Sequence, residues 1–334
     1  MVENWCILED QVASQIMLKG LLLDFLGSPP PLHMSCPAAV KTSMVQEQVI
    51  LEFIPEWLVK DYVGEVFSPV PLHFSRMFSV PKGDSGRRPI IDLSPLNKLL
   101  KKVHFRMEDL WRIARIISKG LWGVKLDLKD AYMSVLLSPL VRRYFGFALG
   151  KRTFFFKVLP FGLSTAPWAF TRLMKAIKRF LRKQGLRITS FLDDFLILAS
   201  SFQEAVDHTA KAIRLLQRLG FEINWGKSSP APARVLEYLG VIIDLENMTF
   251  SLPEAKIARL KSLIKSKERS FLQRSELDTL VGYLSFVADF LPLGRLLLKP
   301  IQRWVSQNSS PLLRHQWVSL DEEKLSNPGC WRMF

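Results

Sequence analysis

The sequence predicts an α+β chain, with antiparallel strands and helices through its middle and a purely helical stretch after them. Three observations carry this. Residues 188–198 (Ile-Thr-Ser-Phe-Leu-Asp-Asp-Phe-Leu-Ile-Leu) set two apolar, strand-like runs around a pair of acids, the pattern of a tight β-hairpin with Asp193 and Asp194 at or beside its turn. Residues 121–128 alternate: Trp122, Val124, Leu126 and Leu128 face one way, Lys125 and Asp127 the other. Asp127 is therefore expected on the open face of a strand that is buried on its other side. From Pro253 onward only helical periodicity remains.

The chain of 334 residues is long enough to bury a real core and suggests two or three folding units. Its 48% hydrophobic and 23% charged residues are ordinary for a globular protein. Its charge is not. Forty-six Lys and Arg against 31 Asp and Glu leave +15, the footprint of a polyanion partner. The basic residues are spread along the chain and form no juxtamembrane block, which favours nucleic acid over an anionic membrane. Cys6, Cys36 and Cys330 lie far apart, with no C-x-x-C and no His pair at ligand spacing, so a disulfide framework or zinc site is not expected. The apolar stretch 16–26 is too short to span a bilayer, and with Lys19 and Asp24 inside it and Glu3, Glu9 and Asp10 before it, it is a poor secretory signal. An intracellular protein is expected, in the cytoplasm or nucleus.

Taken in order, residues 1–45 carry little pattern. A helix is expected over residues 15–26, running into Pro29, Pro30 and Pro31. Residues 46–63 read as helical with an interruption at Pro55. Residues 77–80 and 90–93 are short strands around a turn on Gly83, Asp84, Ser85 and Gly86, ringed by Lys82, Arg87 and Arg88. Cationic hairpin tips are commonly just solvated; a triphosphate-binding role requires that Asp127 and Asp193 face the same space. Residues 107–119 form an amphipathic helix, with Leu110, Ile113 and Ile117 on one face and Gly120 as the stop.

Residues 159–167 (Leu-Pro-Phe-Gly-Leu-Ser-Thr-Ala-Pro) are a loop of small residues opening a strong helix. That helix buries Phe170, Met174, Ile177 and Leu181 and shows Arg172, Lys175, Lys178, Arg179, Arg182 and Lys183 outside. Gly162 lets backbone approach a ligand closely, and a helix N-terminus favours phosphate. Residues 202–219 are a further helix ending at Gly220, and residues 221–225 a short strand. Gly226-Lys227-Ser228 imitates a phosphate loop, but five residues separate Gly220 from Gly226 where that motif needs four, and no helix opens after it. Residues 236–243 read as one strand with a glycine inside it. Past Pro253, Ile257, Leu260 and Ile264 stripe a helix whose other faces carry Lys256, Arg259, Lys261, Lys265 and Lys267, a basic unit suited to clamp a sugar-phosphate backbone. Ser275 with Asp278 makes a capping box for a last helix burying Leu277, Val281 and Leu284.

Asp193 and Asp194 alone make an ordinary turn as readily as a metal site; Asp127 supplies the third acid. Two bare carboxylates ~4 Å apart repel by roughly 4 kcal/mol at an effective dielectric near 20. Hard cations settle such a cluster, and Mg²⁺ seeks oxygen and binds phosphates as well. Two metals ~3.5–4 Å apart activate a hydroxyl and stabilise a leaving pyrophosphate in line. The expected chemistry is nucleotidyl transfer.

The ordered motifs resemble one family. Val80-Pro81-Lys82 through Arg88 to Asp92, then Leu126-Asp127-Leu128-Lys129-Asp130-Ala131-Tyr132, look like the fingers and first palm motif of reverse transcriptases. Residues 159–167, Phe191-Leu192-Asp193-Asp194, residues 219–227 and Tyr238-Leu239-Gly240 are similar to the later motifs, in the family's order. The resemblance covers residues 57 to 305. Within the family, residues 160–167 and 291–304 look most like DIRS-type, tyrosine-recombinase retrotransposons. Phe191 replaces the usual tyrosine, and no RNase H or recombinase domain follows, as in a fragment or a degraded or domesticated copy.

The resemblance implies a right-hand polymerase. Residues 1–45 would be an arm, 46–120 fingers with the start of the palm, and 121–245 palm, with a fingers insertion at about 135–160. Residues 246–306 would be a helical thumb and 307–334 a tail. It implies RNA-directed DNA synthesis from dNTPs on an RNA or DNA template with a DNA primer, and two Mg²⁺ ions replaceable by Mn²⁺. Asp127, Asp193 and Asp194 would hold the metals, with the Leu128 carbonyl lending a ligand. Lys82 and Arg88 would meet the triphosphate; Asp130, Ala131, Tyr132, Phe161 and Gly162 would line the nucleotide pocket, Tyr132 beneath the sugar. Lys227 would protonate the leaving pyrophosphate. Tyr238, Leu239 and Gly240 would grip the primer, and Lys256, Arg259, Lys261 and Lys265 the nucleic-acid backbone. The rival expectation is an idle relic that only binds nucleic acid.

Overall fold

The computed structural model describes residues 2–81, 86–108, 110–265, 271–288, 293–307 and 317–319. It divides into two units: Met1–Leu239 with Leu245–Asn247, and Gly240–Asp244 with Met248–Phe334.

The first unit opens with α1 (Gln11–Lys19), α2 (Met44–Leu51) and α3 (Ile54–Val59), followed by β1 (Val63–Val66), β2 (Met77–Pro81) and β3 (Arg87–Ile91). Next come α4 (Ser94–Asn97), α5 (Leu110–Ile116), β4 (Trp122–Lys129), β5 (Gly146–Leu149), β6 (Arg152–Phe156) and α6 (Ala166–Lys183). The hairpin β7 (Arg187–Phe191) and β8 (Asp194–Ala199) leads to α7 (Phe202–Arg218), β9 (Glu222–Ile223), β10 (Ser229–Ala233) and β11 (Val235–Tyr238). A five-stranded sheet runs in the order β10-β4-β8-β7, with β9 also pairing β4; β1-β6-β5 form a second sheet and β2-β3 a ribbon. All these ladders are antiparallel, as the alternating and hairpin patterns predict.

The central sheet is fastened to α6 and α7. On α6, Ala169, Phe170, Leu173, Met174, Ile177 and Leu181 are buried, one apolar stripe at helical spacing. Pro167 lies in its first turn, where a missing N–H costs nothing. On α7, Ser201 caps the Glu204 N–H at 3.1 Å, while the Glu204 carboxylate accepts from the Ser200 N–H at 2.7 Å. Pro55 likewise falls in the first turn of α3, so the expected interruption is a helix start.

Several local expectations are corrected. The first helix ends at Lys19 instead of running through residue 26, because Gly20 takes φ 78° and lies so close to another segment that a Cβ would stand 2.4 Å from the Ser138 nitrogen. Leu21 and Phe25 then form bridges to Leu137 and Leu100. α1 is fastened to α6: Asp10, 4% exposed, caps the Ala13 N–H at 3.0 Å and pairs with Arg172 and Arg179. The helix expected over residues 107–119 is the shorter α5, and Glu108 is drawn instead to β7. Lys178, expected outside, is 4% exposed and pairs with Glu108 at 2.9 Å. Residues 236–243 are not one strand: the chain turns at Leu239 (φ 51°) and Gly240 (φ 74°).

The second unit contains β12 (Val241–Asp244), paired with β13 (Thr249–Ser251), and the helices α8 (Glu254–Lys265), α9 (Arg274–Ala288) and α10 (Gly294–Gln307). Leu277, Leu280, Leu284 and Ala288 of α9 pack with Leu298, Ile301 and Val305 of α10, and Leu260 of α8 lies against them. Ile257 is 36% exposed and leaves the expected stripe. Ser275 lies inside α9, which begins at Arg274, and its side chain lies outside the described residues. Among the described residues no helix is long and apolar enough to cross a membrane, and Cys6 and Cys36 are unpaired.

Candidate active site

Phe191 pairs with Asp194 across β7 and β8, leaving Leu192 and Asp193 as a two-residue turn. Leu192 takes φ 51°, a left-handed seat that costs a branched side chain about 1–2 kcal/mol. Its side chain packs against the core, which holds the turn in that shape. Asp127 stands in register with Asp194 across β4 and β8, and the Leu128 N–H donates to the Asp193 carbonyl at 3.1 Å. The three acids are thereby brought onto adjoining positions of two neighbouring strands.

Asp127 is 6% exposed and so not on an open face. Its N–H donates to the Ser228 hydroxyl at 3.0 Å, its carbonyl accepts from the Asn224 N–H at 2.8 Å, and Ser228 closes the loop onto the Asn224 carbonyl at 2.8 Å. The residues that imitate a phosphate loop in sequence therefore brace an acid. Ser228 and Asn224 lie about a hundred positions from Asp127 in sequence, and no local pattern marks them.

A cleft of about 530 Å³ opens over the turn. Asp127, Leu128, Asp130, Ala131, Tyr132, Phe161, Asp193, Lys227 and Arg88 all line it, so nine of the expected site residues meet in one space. Arg87, one of the cations expected around the β2–β3 turn, lines it too; Glu56, Tyr62 and Asn224 line it as well and were not anticipated as site residues. Burial pushes the Asp193 carboxyl above its ordinary range; Asp127 raises it further, while Lys227 and Arg88 pull it down. Asp194 does not line the cleft. Burial raises it too, Lys125 opposes that, and its Oδ1 accepts no hydrogen bond, the Lys125 ammonium standing 3.7 Å away. Among the described residues no three acid, His or Cys side chains are gathered tightly enough to enclose an ion as they stand.

One wall of the cleft is aromatic. Tyr132 packs edge-on against Phe161 and Phe170, with centroids 5.5 and 5.3 Å away, and Arg88 lies 5.1 Å over the Phe161 ring. Burial, and then Asp193, push the Tyr132 hydroxyl up to about 12. Asp130 turns the chain at φ 47° and pairs with Lys60 at 3.6 Å. Gly162 takes φ 103°, and a Cβ there would stand 2.9 Å from the Ile91 carbonyl, so its close approach is to β3. Asn97, also missed in sequence, fastens this loop by donating to the Gly162 carbonyl and accepting from the Ser164 N–H, both at 2.8 Å.

The remaining expected residues lie elsewhere. Lys82 falls outside the described residues, as does the Lys265 side chain. Tyr238 has no exposed surface, so its ring is core and offers no face to a ligand. In the second unit the Lys256 ammonium donates to the Gly240 carbonyl at 2.9 Å and covers the Phe286 ring at 4.6 Å. Arg259 lies 5.3 Å over Tyr283, and Lys261 is exposed.

An antiparallel sheet that presents paired acids beneath a cationic cleft, within mixed α+β architecture, is the right-hand polymerase fold. The foamy viral protease-reverse transcriptase in complex with double-stranded DNA shares it, with a TM-score of 0.69 at 16% identity over 93% of this chain and 53% of that one. The same viral enzyme in complex with an RNA/DNA hybrid aligns with a TM-score of 0.68 and 16% identity, over 94% of this chain and 40% of that one. Within that class, residues 80–243 match the family model of reverse transcriptase (RNA-dependent DNA polymerase). Protein P of Duck hepatitis B virus (strain China) is 25% identical over 219 residues, 64% of this chain and 28% of the viral protein. The chain thus spans less than a third of that relative's length.

Proposed function

We propose that the chain extends a DNA primer, on an RNA template, by transferring a nucleotidyl group from a dNTP to the primer 3′-hydroxyl. The observation that carries this is the meeting of Asp127 and Asp193 with Arg88 and Lys227 in one cleft of a chain that matches the reverse transcriptase family model. The net charge of +15 supports a nucleic-acid partner, and the structural neighbours are bound to double-stranded DNA and to an RNA/DNA hybrid.

The donor set suits hard divalent cations. It is anionic and all oxygen, and Asp193 is crowded by burial and by Asp127, a cost that a bound cation relieves. Asp127 and Asp193 would hold the metal, with the Leu128 carbonyl beside them, and Asp194 would stand behind as a support to the turn. Two Mg²⁺ or Mn²⁺ ions there supply charge neutralisation for the attacking and leaving oxygens. Arg88, braced on Phe161, holds the triphosphate. Tyr132, Asp130 and Ala131 form the floor under the sugar. Lys227 donates a proton to the departing pyrophosphate. The backbone at Leu239 and Gly240 meets the primer end, since the Tyr238 ring is buried.

In this reading residues 46–120 are fingers with the start of the palm, 121–245 palm with its insertion, and 246–306 thumb. Residues 160–167 and 291–304 support a place among DIRS-type retrotransposons, and the unpaired Cys6 and Cys36 suit an intracellular site. The test is primer extension on a homopolymer template with Mg²⁺ or Mn²⁺. Asp127→Asn and Asp193→Asn should each abolish extension while primer-template affinity stays within about three-fold, the basic contacts being untouched. Substantial residual extension by either variant overturns the assignment of the acids, and a wild-type chain that binds but never extends overturns the activity.

A further inference from the structure

β7 is the outermost strand of the five-stranded sheet among the described residues. In an antiparallel ladder alternate residues turn their backbone groups away from the neighbour, and with Phe191 paired to Asp194 these are Ile188 and Ser190. Among the described residues no strand receives them. Arg182 of α6 donates to the Ile188 carbonyl through Nε at 2.9 Å and Nη2 at 2.6 Å. Lys178 of α6 reaches the Ser190 carbonyl at 3.4 Å, and the Ser190 N–H donates to Glu108 Oε2 at 3.3 Å. The Thr189 hydroxyl donates to the same carboxylate oxygen, and Lys178 and Arg182 close the group at 2.9 and 3.4 Å. Three charged side chains stand where a sixth strand would pair.

This group lies immediately before the turn that carries Asp193. Ser190 and Asp193 are separated only by Phe191 and Leu192, and the hairpin between them has no slack. We propose that Glu108 and Lys178 are positioning residues for the Asp193–Asp194 turn, fixing β7 along the sheet so that the Asp193 carboxylate meets Asp127 at metal-binding distance. The inference rests on the reading of Asp193 as a metal ligand. Lys178 is 4% exposed and held by its partners, so it acts through the strand, touching no substrate. Residues that orient metal ligands from behind typically change metal affinity about 10–100-fold when replaced.

The experiment uses the full chain with Glu108→Gln, Lys178→Met and the double variant. Three quantities are measured: the Mn²⁺ affinity of the free protein by paramagnetic titration, kcat and KM for single-nucleotide extension, and primer-template Kd. Each single variant should weaken Mn²⁺ binding about tenfold or more and lower kcat by about 10–100-fold, with KM and Kd held within about three-fold. Lys178→Arg, which keeps the charge and a donor, should recover most of the Mn²⁺ affinity. The double variant removes both charges, so its melting temperature should exceed that of either single variant while its Mn²⁺ affinity stays low. Folded variants with wild-type Mn²⁺ affinity and kcat overturn the proposal. If Lys178→Met does not fold, Glu108→Gln decides, its side chain being partly solvated at 16% exposure. A wild-type chain that binds Mn²⁺ without extending primers overturns the polymerase reading alone, because the Mn²⁺ shift in Glu108→Gln still decides this one.

Discussion

The hydroxyl of Tyr238, a side chain with no exposed surface, donates to the backbone carbonyl of Asp194 at 2.8 Å. The end of β11 is thus tied to the first residue of β8. Burial pushes this hydroxyl far up, so it remains a donor at any pH the fold survives. Tyr238→Phe leaves that carbonyl without its donor at a cost of about 1–3 kcal/mol. Thermal unfolding should shift down by roughly 2–4 °C for each kcal/mol lost. An unchanged melting temperature would show that water replaces the phenol at no cost.

Tyr132 should set which sugar is accepted. Its ring is wedged between Phe161 and Phe170 at the cleft, so it cannot move aside for a 2′-hydroxyl. Overpacking costs typically ~1–3 kcal/mol, or about 5- to 150-fold in rate. Tyr132→Ala should raise relative ribonucleotide incorporation by that factor, read as kcat/KM for matched ribo- and deoxynucleotides. An unchanged ratio leaves Tyr132 as packing alone.

The acids make stability fall as pH rises. Burial first, then like charge, holds Asp193 and Asp194 above the usual carboxylate range. The folded state therefore binds their protons more readily than the unfolded state. Their contribution is full below the unfolded carboxylate pKa of about 4 and is lost as pH rises through the raised values. Glu108 opposes this. Burial raises it, but the bond from Thr189 and the charges of Lys178 and Arg182 more than offset that, so it favours folding above the ordinary range. In chelator, Asp194→Asn should melt higher than wild type at neutral pH, and the gap should shrink toward about pH 4. A gap independent of pH would mean that the charge of Asp194 is not what the fold resists.

The basic helix α8 should divide into two kinds of lysine. Lys261 is exposed, whereas Lys256 is engaged by Gly240 and Phe286. Lys261→Ala should flatten the log–log salt dependence of primer-template binding by about 0.9 if it neutralises one duplex phosphate. Lys256→Ala should chiefly lower thermal stability. Equal salt slopes for Lys261→Ala and wild type would place the backbone contact elsewhere.

What was legible in the sequence was whatever repeats at short range. The Asp193–Asp194 hairpin, the β4 strand and the apolar face of α6 are each set by neighbours two to four residues apart and stand in the structure, although the open face expected for Asp127 does not. The meeting of Asp127 with Asp193 follows from pairing those strands. What stayed hidden depends on partners far along the chain. Nothing near Lys178 tells that it faces Glu108, since a lysine on a cationic helix face reads as solvated. Ser228 braces Asp127 from beyond the whole hairpin. Gly20 stops its helix because another segment passes beside it, and Gly240 makes a turn where the apolar run suggests continuation.

Leu192 has one more consequence, for the order in which the fold is assembled. A two-residue hairpin loop normally draws on asparagine or glycine to enter the left-handed region, and a leucine there gives the local chain no preference for turning. The turn is supported by distant segments: the side chain's contact with a core that other elements complete, the Leu128 N–H on the Asp193 carbonyl and the Tyr238 hydroxyl on the Asp194 carbonyl. A peptide spanning residues 187–199 should therefore stay unstructured in water. In the whole chain the acids should therefore come together only once α6 and β4 have closed around the strand, so that any cation site they form is a product of the finished fold and not of the local sequence.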